Sequence, residues 1–238
     1  MPQRVLVTGA SSGIGRALAL RLARDGVQVA VCARRGDALE GLCAEGDALQ
    51  GRIVGRTCDI RDSASIEDFV SWAMAELGGL DVLVNNAGAL GPRSPIREIS
   101  VEQFDDVMQT NVVGLFAMTR AALPSLCESE AGLVINISSG LGRFGVANSS
   151  AYCASKFAVE GFTQSLADEY ADSNLVSVAL SPGMVATEML QNYLEQEDVS
   201  AYLAPEDVAE GITRLIGKVT HAYNGRALDI DEFLTAAV

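Results

Sequence analysis

What narrows the fold most is a regular alternation of short apolar runs with longer segments of helical period, kept up from the first residues to the last. Residues 4–8, 27–33, 51–59, 80–85, 133–138, 175–180 and 226–230 read as strands, and 13–25, 37–49, 63–77, 101–126, 151–171 and 205–217 as helices. The first six strand segments are nearly continuous in apolar character, as strands covered on both faces are. The pattern predicts a doubly wound parallel α/β sheet of about seven strands with helices on both faces. Ligands of such sheets lie beyond the carboxyl ends of the strands, near the switch in strand order, so the residues that follow each strand are the ones to inspect. No linker, low-complexity tract or repeat interrupts the 238 residues, which read as one domain. The least regular stretch, 183–203, is long for a connection and suits a lid or binding segment.

Charge then removes whole classes of function. With 17 Lys+Arg against 31 Asp+Glu the net charge is −14, which repels nucleic-acid backbones and anionic lipid surfaces. Neither nucleic acid nor membrane is an expected partner, and an anionic ligand has to be held by a local feature. The apolar runs fall well short of the roughly 18 residues that cross a bilayer, and Gly, Ser and Arg interrupt residues 1–20 where a signal peptide would be apolar. A cytoplasmic location is expected. The five cysteines are scattered and form no C-x-x-C pair, which favours reduced thiols over a disulfide framework or a cysteine-ligated zinc site. His221 is the single histidine, so acid–base chemistry here has to proceed largely without imidazole, and no metal is expected.

Directly after the first strand runs Thr8-Gly9-Ala10-Ser11-Ser12-Gly13-Ile14-Gly15, which opens a helix. Glycines at this place let the backbone turn sharply and approach a pyrophosphate, while free N–H groups at the helix N-terminus face the negative charge. The bland reading is a turn that merely reverses the chain; the position inside a βαβ unit favours the dinucleotide. At the end of the second strand an acidic residue would accept from a ribose 2′-hydroxyl, but the sequence has Ala33-Arg34-Arg35. Paired guanidinium groups suit a 2′-phosphate and point to NADP(H), with NAD possible; the alternative is two solvated residues before a helix. After the third strand, Asp59-Ile60 is placed to bind an adenine amino group and flank its ring, while Asp59 would equally serve as a helix cap or a loop residue.

Tyr152 and Lys156 lie four apart at the start of a helix, on one face. A protonated amine beside a phenol lowers its pKa from about 10 and makes it a usable proton donor. The fifth strand ends in Asn136-Ile137-Ser138-Ser139, the fourth in Asn85-Asn86-Ala87-Gly88, the long helix that follows carries Asn111, and Ser181-Pro182-Gly183 follows the sixth. Together these motifs, T-G-x-x-x-G-I-G, N-N-A-G, Asn111, Ser139, Y-x-x-x-K and P-G, resemble the single-domain short-chain dehydrogenase/reductases, in that family's order and across nearly the whole chain.

The resemblance implies a Rossmann-like fold and a catalytic tetrad of Asn111, Ser139, Tyr152 and Lys156. It further implies that Asn86, Ala87 and Gly88 line the cofactor and that Pro182, Gly183, Val185 and Thr187 contact its nicotinamide end. The implied reaction is hydride transfer between nicotinamide and a carbonyl carbon or its alcohol. Ser139 would bind the carbonyl oxygen, Tyr152 pass the proton, Lys156 hold the ribose and keep Tyr152 acidic, and Asn111 order a relaying water. The C-terminal Gly225-Arg226-Ala227-Leu228-Asp229 departs from the family's paired glycines, which leaves a homodimer or homotetramer as the expected assembly.

Leu141, Phe144, Met184, Met189, Leu190 and Tyr193 would give a largely apolar, adaptable substrate pocket, although packing within or between subunits would use them equally. An apolar ketone or aldehyde is the expected small-molecule substrate. A 3-oxoacyl-carrier-protein reductase is the nearest alternative, set against the −14 charge but with Arg93 and Arg97 as a local basic patch. A non-catalytic NADP-binding sensor on the same fold is the alternative of a different class.

Overall fold

The computed structural model describes residues 2–195 and 198–234. Seven parallel strands form one sheet in the order β3-β2-β1-β4-β5-β6-β7. They are β1 (Arg4–Thr8), β2 (Gln28–Ala33), β3 (Arg52–Thr57), β4 (Val82–Asn85), β5 (Leu133–Ile137), β6 (Val176–Ser181) and β7 (Ala227–Asp229). β1 pairs with both β2 and β4, so the chain progresses outward in opposite directions from β1, and the crevice of the switch opens there.

The strands bury two faces because their side chains alternate. Val5 and Val7 face one core with Leu18 and Leu22 of α1 (Gly13–Arg24) and Ile212 and Leu215 of α8 (Pro205–Lys218). Leu6 faces the other with Phe69 of α3 (Ser63–Leu77), Met118 of α5 (Gly114–Glu128) and Leu166 of α6 (Ser150–Glu169). Full burial of each such side chain stabilises the fold by about 1.5–3 kcal/mol. α2 (Gly36–Gly46) adds Leu39 and Leu42 to the first core.

Two elements differ from expectation. Residues 101–126, read as one helix, are α4 (Val101–Met108), a π-helical turn over Gln109–Val113, and α5. α4 starts on a capping box between Ser100 and Gln103. Within the irregular 183–203 stretch lies α7 (Glu188–Tyr193), whose N-cap Thr187 accepts from the Leu190 N–H at 3.3 Å. Gln196 and Glu197 of that stretch lie outside the described residues. Before α7, Val185 bridges to Leu203, and the Ala186 N–H donates to the Leu203 carbonyl at 2.8 Å, fastening the segment back onto the body.

Candidate active site

A cleft of about 1090 Å³ runs along the carboxyl edge of the sheet. One end is walled by Gly9, Ser11, Ser12, Gly13, Ile14, Arg34, Arg35, Asp59 and Ile60, the middle by Asn86, Ala87 and Gly88. The other end is walled by Ser139, Leu141, Phe144, Tyr152, Lys156, Pro182, Gly183, Met184, Val185, Thr187, Met189, Leu190 and Tyr193. Two candidates stand behind this wall: Gly15 and Asn111.

The glycine-rich turn is shaped by close approach. Gly9 has φ +69°, and a Cβ on it would stand 2.8 Å from the Ala87 Cα; one on Gly15 would stand 2.5 Å from the Asn86 amide nitrogen and 2.7 Å from the Gly9 carbonyl. Asn86 closes the arrangement by donating to the carbonyls of Thr8 (2.8 Å) and Gly9 (3.2 Å), while the Thr8 hydroxyl accepts from the N–H groups of Asn86 and Ala87. Gly15 thus serves the packing that holds the turn. Ser12 is the N-cap of α1, yet its side chain makes no capping bond, and no acidic residue lies in the first turn. The helix N-terminus therefore presents donors and positive potential to the cleft, a cradle that fits a pyrophosphate.

Three cations collect at this end. Arg34 and Arg35 are exposed on its lip, Arg35 donating to the Ser11 hydroxyl at 3.2 Å. Arg61, which sequence reasoning did not single out, also lines the cleft and donates to Asp59 at 2.7 Å. That guanidinium holds the Asp59 carboxyl at about 2, below the ordinary carboxylate range. The helix that follows is capped by Asp62, which accepts from the Ala64 N–H at 3.0 Å, so the capping alternative for Asp59 is not realised.

At the opposite end the Ser139 hydroxyl stands beside Tyr152, close enough to favour its phenolate, and accepts from the Leu141 N–H at 3.2 Å. Lys156, 5% exposed, places Nζ 5.5 Å from the Tyr152 ring centroid and donates to the Ile137 carbonyl at 2.8 Å. The expected acidification of Tyr152 is not the balance found. Burial dominates and lifts the phenol to about 12, against the downward pull of Ser139. Burial likewise lowers Lys156 to about 8. Desolvation is the largest cause of both shifts.

Asn111 sits in the π-turn, 1% exposed. Its Oδ1 accepts from the Ala89 N–H at 2.7 Å, and its Nδ2 donates to the Ala89 carbonyl (2.8 Å) and the Ser155 hydroxyl (2.9 Å). Both amide protons are spent, so the side chain ties the loop after β4 to α6. Gln103, Asp106, Val107 and Thr110 line the cleft instead. The apolar period of 101–126, taken as an unbroken helix, gave no signal for them. Tyr193 reaches the Ser149 hydroxyl at 2.5 Å, with the Arg93 guanidinium 5.9 Å from its ring centroid. α7 is thereby latched over the mouth of the cleft.

The arrangement can hold a dinucleotide along one half and stabilise an oxygen and move its proton at the other. Residues 3–198 match the family model described as short chain dehydrogenase. An NADPH-dependent pterin aldehyde reductase from Arabidopsis thaliana is 38% identical over 226 residues, 95% of this chain and 92% of its own. The 3-oxoacyl-(acyl-carrier-protein) reductase FabG of Thermotoga maritima is 31% identical over 95% of both chains. Among solved structures, an actinorhodin polyketide ketoreductase variant with NADPH superposes with TM-score 0.88 at 35% identity, covering 95% of each chain.

Proposed function

Because the chain belongs to the short-chain dehydrogenase family, we propose that it is an NADP(H)-dependent oxidoreductase acting on a ketone or aldehyde and the corresponding alcohol. The observation that carries this reading is the convergence of Ser139, Tyr152 and Lys156 on one end of the cleft, with Lys156 Nζ 5.5 Å from the Tyr152 ring centroid, opposite the glycine cradle. NADP-type chemistry is supported by relatives named for NADPH or solved with it. When bound, the dinucleotide supplies or accepts the hydride.

Each residue then has a task that its surroundings allow. Ser11, Ser12 and the N–H groups of the glycine turn hold the pyrophosphate; Arg34 and Arg35 bind the 2′-phosphate through charge-assisted hydrogen bonds. Ser139 donates to the substrate oxygen as negative charge develops there. Tyr152 passes its phenolic proton to that oxygen during reduction and takes it back during oxidation. Lys156 would orient the ribose with the N–H groups it does not give to the Ile137 carbonyl, and its charge would favour the phenolate. Asn111 fixes α6 and the β4 loop in register. Leu141, Phe144, Met184, Met189, Leu190 and Tyr193 form an apolar, deformable substrate wall.

The decisive experiment is turnover of a panel of apolar ketones and aldehydes with NADPH and NADH; no oxidation of either cofactor across the panel would leave the sensor reading standing. The Thermotoga maritima relative and the exposed Arg97 favour a carrier-bound 3-oxoacyl thioester as the second reading. A kcat/KM that rises when the acyl group is moved from a small thiol to a carrier protein would select it. The exposed Val113 and Phe116, which line an apolar pocket of about 230 Å³ together with Val159 and Phe162 of α6, support a homo-oligomer, which light scattering reads directly. We place the enzyme in the cytoplasm, as one domain with reduced cysteines; among the described residues no helix is long and apolar enough to cross a membrane.

A further inference from the structure

Both ends of the turn that presents Ser139 are tied to one carboxylate oxygen. Ser138 Oγ donates to Glu160 Oε1 at 3.0 Å, and Arg143 Nε donates to the same atom at 3.2 Å. Between them lies the 3₁₀ turn Gly140–Gly142, which Ser139 caps. There is no slack beneath it: a Cβ on Gly142 would stand 2.9 Å from the Lys156 carbonyl and from Ser138 Oγ, and 3.1 Å from Glu160 Oε1. Arg143 is itself held from the far side, its Nη1 donating to Asp229 at 2.8 Å and its Nη2 to the Leu228 carbonyl at 3.0 Å.

Glu160 lies on α6 one helical turn beyond Lys156 and is 8% exposed. A carboxylate so buried costs stability unless several donors answer it, and here the donors that answer it flank Ser139. The helix that carries Tyr152 and Lys156 thus also carries the anchor for Ser139. The distance between the hydroxyl and the phenol is set by two rigid connections instead of a free loop.

We propose that Glu160, with Arg143, is a positioning residue for the carbonyl chemistry: it holds the Ser139 turn against α6 so that Ser139 and Tyr152 converge on one substrate oxygen. Misplacement of a reacting group by about an ångström costs up to about 100-fold in rate. Glu160→Ala should therefore lower kcat by about 10- to 100-fold, while the KM and Kd for NADPH stay at the wild-type values, because the glycine turn is at the other end of the cleft. Glu160→Gln keeps an acceptor oxygen of the same reach and should recover activity to within about threefold.

The proposal rests on the reductase reading for its kinetic arm, and a double-mutant cycle tests it. In a Ser139→Ala background, the cost of Glu160→Ala on kcat/KM should collapse to within about twofold; an unchanged cost would show that Glu160 does not act through Ser139 and overturns the proposal. A second arm needs no turnover. Backbone amides 140–144 should exchange with deuterium faster in Glu160→Ala than in wild type, and equal exchange overturns the proposal. If the wild type turns over no carbonyl, the reductase reading fails and the exchange arm alone decides the positioning role.

Discussion

Lys156 Nζ donates to the carbonyl oxygen of Ile137 at 2.8 Å, so the ammonium beside Tyr152 is pinned to the end of β5. It is a costly place for a charge. Burial holds Lys156 at about 8 against its ordinary 10.5. Below about pH 8 folded and unfolded chains are both protonated and the folded state carries the whole penalty. Between 8 and 10.5 the folded state releases its proton while the unfolded state keeps it, so stability rises with pH across that window. A displacement of this size corresponds to about 3 kcal/mol. Lys156→Met removes the penalty and forfeits the Ile137 hydrogen bond, so at pH 7 it should be at least as stable as wild type while losing activity. Its advantage in urea unfolding should shrink as pH rises from 7 to 10.5. A pH-independent difference between the two proteins would contradict the buried-ammonium account.

Tyr152→Phe removes only the phenolic oxygen. Turnover should fall by about 100- to 10,000-fold, and NADPH binding, followed by cofactor fluorescence, should stay within a factor of about two. Activity close to wild type would mean that another group handles the proton.

Arg34→Ala and Arg35→Ala should each shift the NADPH-to-NADH ratio of kcat/KM toward NADH. One charge-assisted hydrogen bond is worth about 1.5–3 kcal/mol, which corresponds to a shift of about 10- to 100-fold per guanidinium. Arg61→Ala should change the ratio less, since Arg61 is occupied by Asp59. Equal ratios in all three variants and the wild type would remove the 2′-phosphate from this end of the cleft.

Gly9→Ala forces a side chain into a left-handed backbone position and against Ala87. A loss of about 1–3 kcal/mol in unfolding free energy is expected, together with weaker cofactor binding. An unfolding midpoint equal to that of wild type would show that the turn relaxes at no cost.

The strands were legible because two-sided burial writes itself as unbroken apolar runs: β1 matches residue for residue, and α3 does too, having an Asp62 cap and Gly78 at its end. Legibility failed where a feature depends on hydrogen-bond register. The π-turn leaves the apolar pattern of 101–126 intact, so nothing in composition announces it. α7 has only six residues and owes its helix to the Thr187 cap and the Tyr193–Ser149 contact. The site was legible as a set of residue types, but not as a balance of energies. Spacing placed Lys156 by Tyr152, yet only the fold shows how far both are desolvated. Glu160 escaped notice for the same reason, since an acidic residue four after a lysine on a helix ordinarily reads as a solvated pair.

The π-turn over Gln109–Val113 means that the run from Val101 to Glu128 contains one residue more than a continuous α-helix would accommodate. Deleting a single residue inside it would let the wide turn close to ordinary α geometry, with α4 and α5 keeping nearly their present faces. The apolar residues of α4 and α5 would keep their faces, yet the turn that carries Asn111 to Ala89 and Ser155 would be lost. The site therefore depends on how many residues this segment contains as much as on which ones. Counting across it would separate chains that share this architecture from chains that share only its hydrophobic pattern.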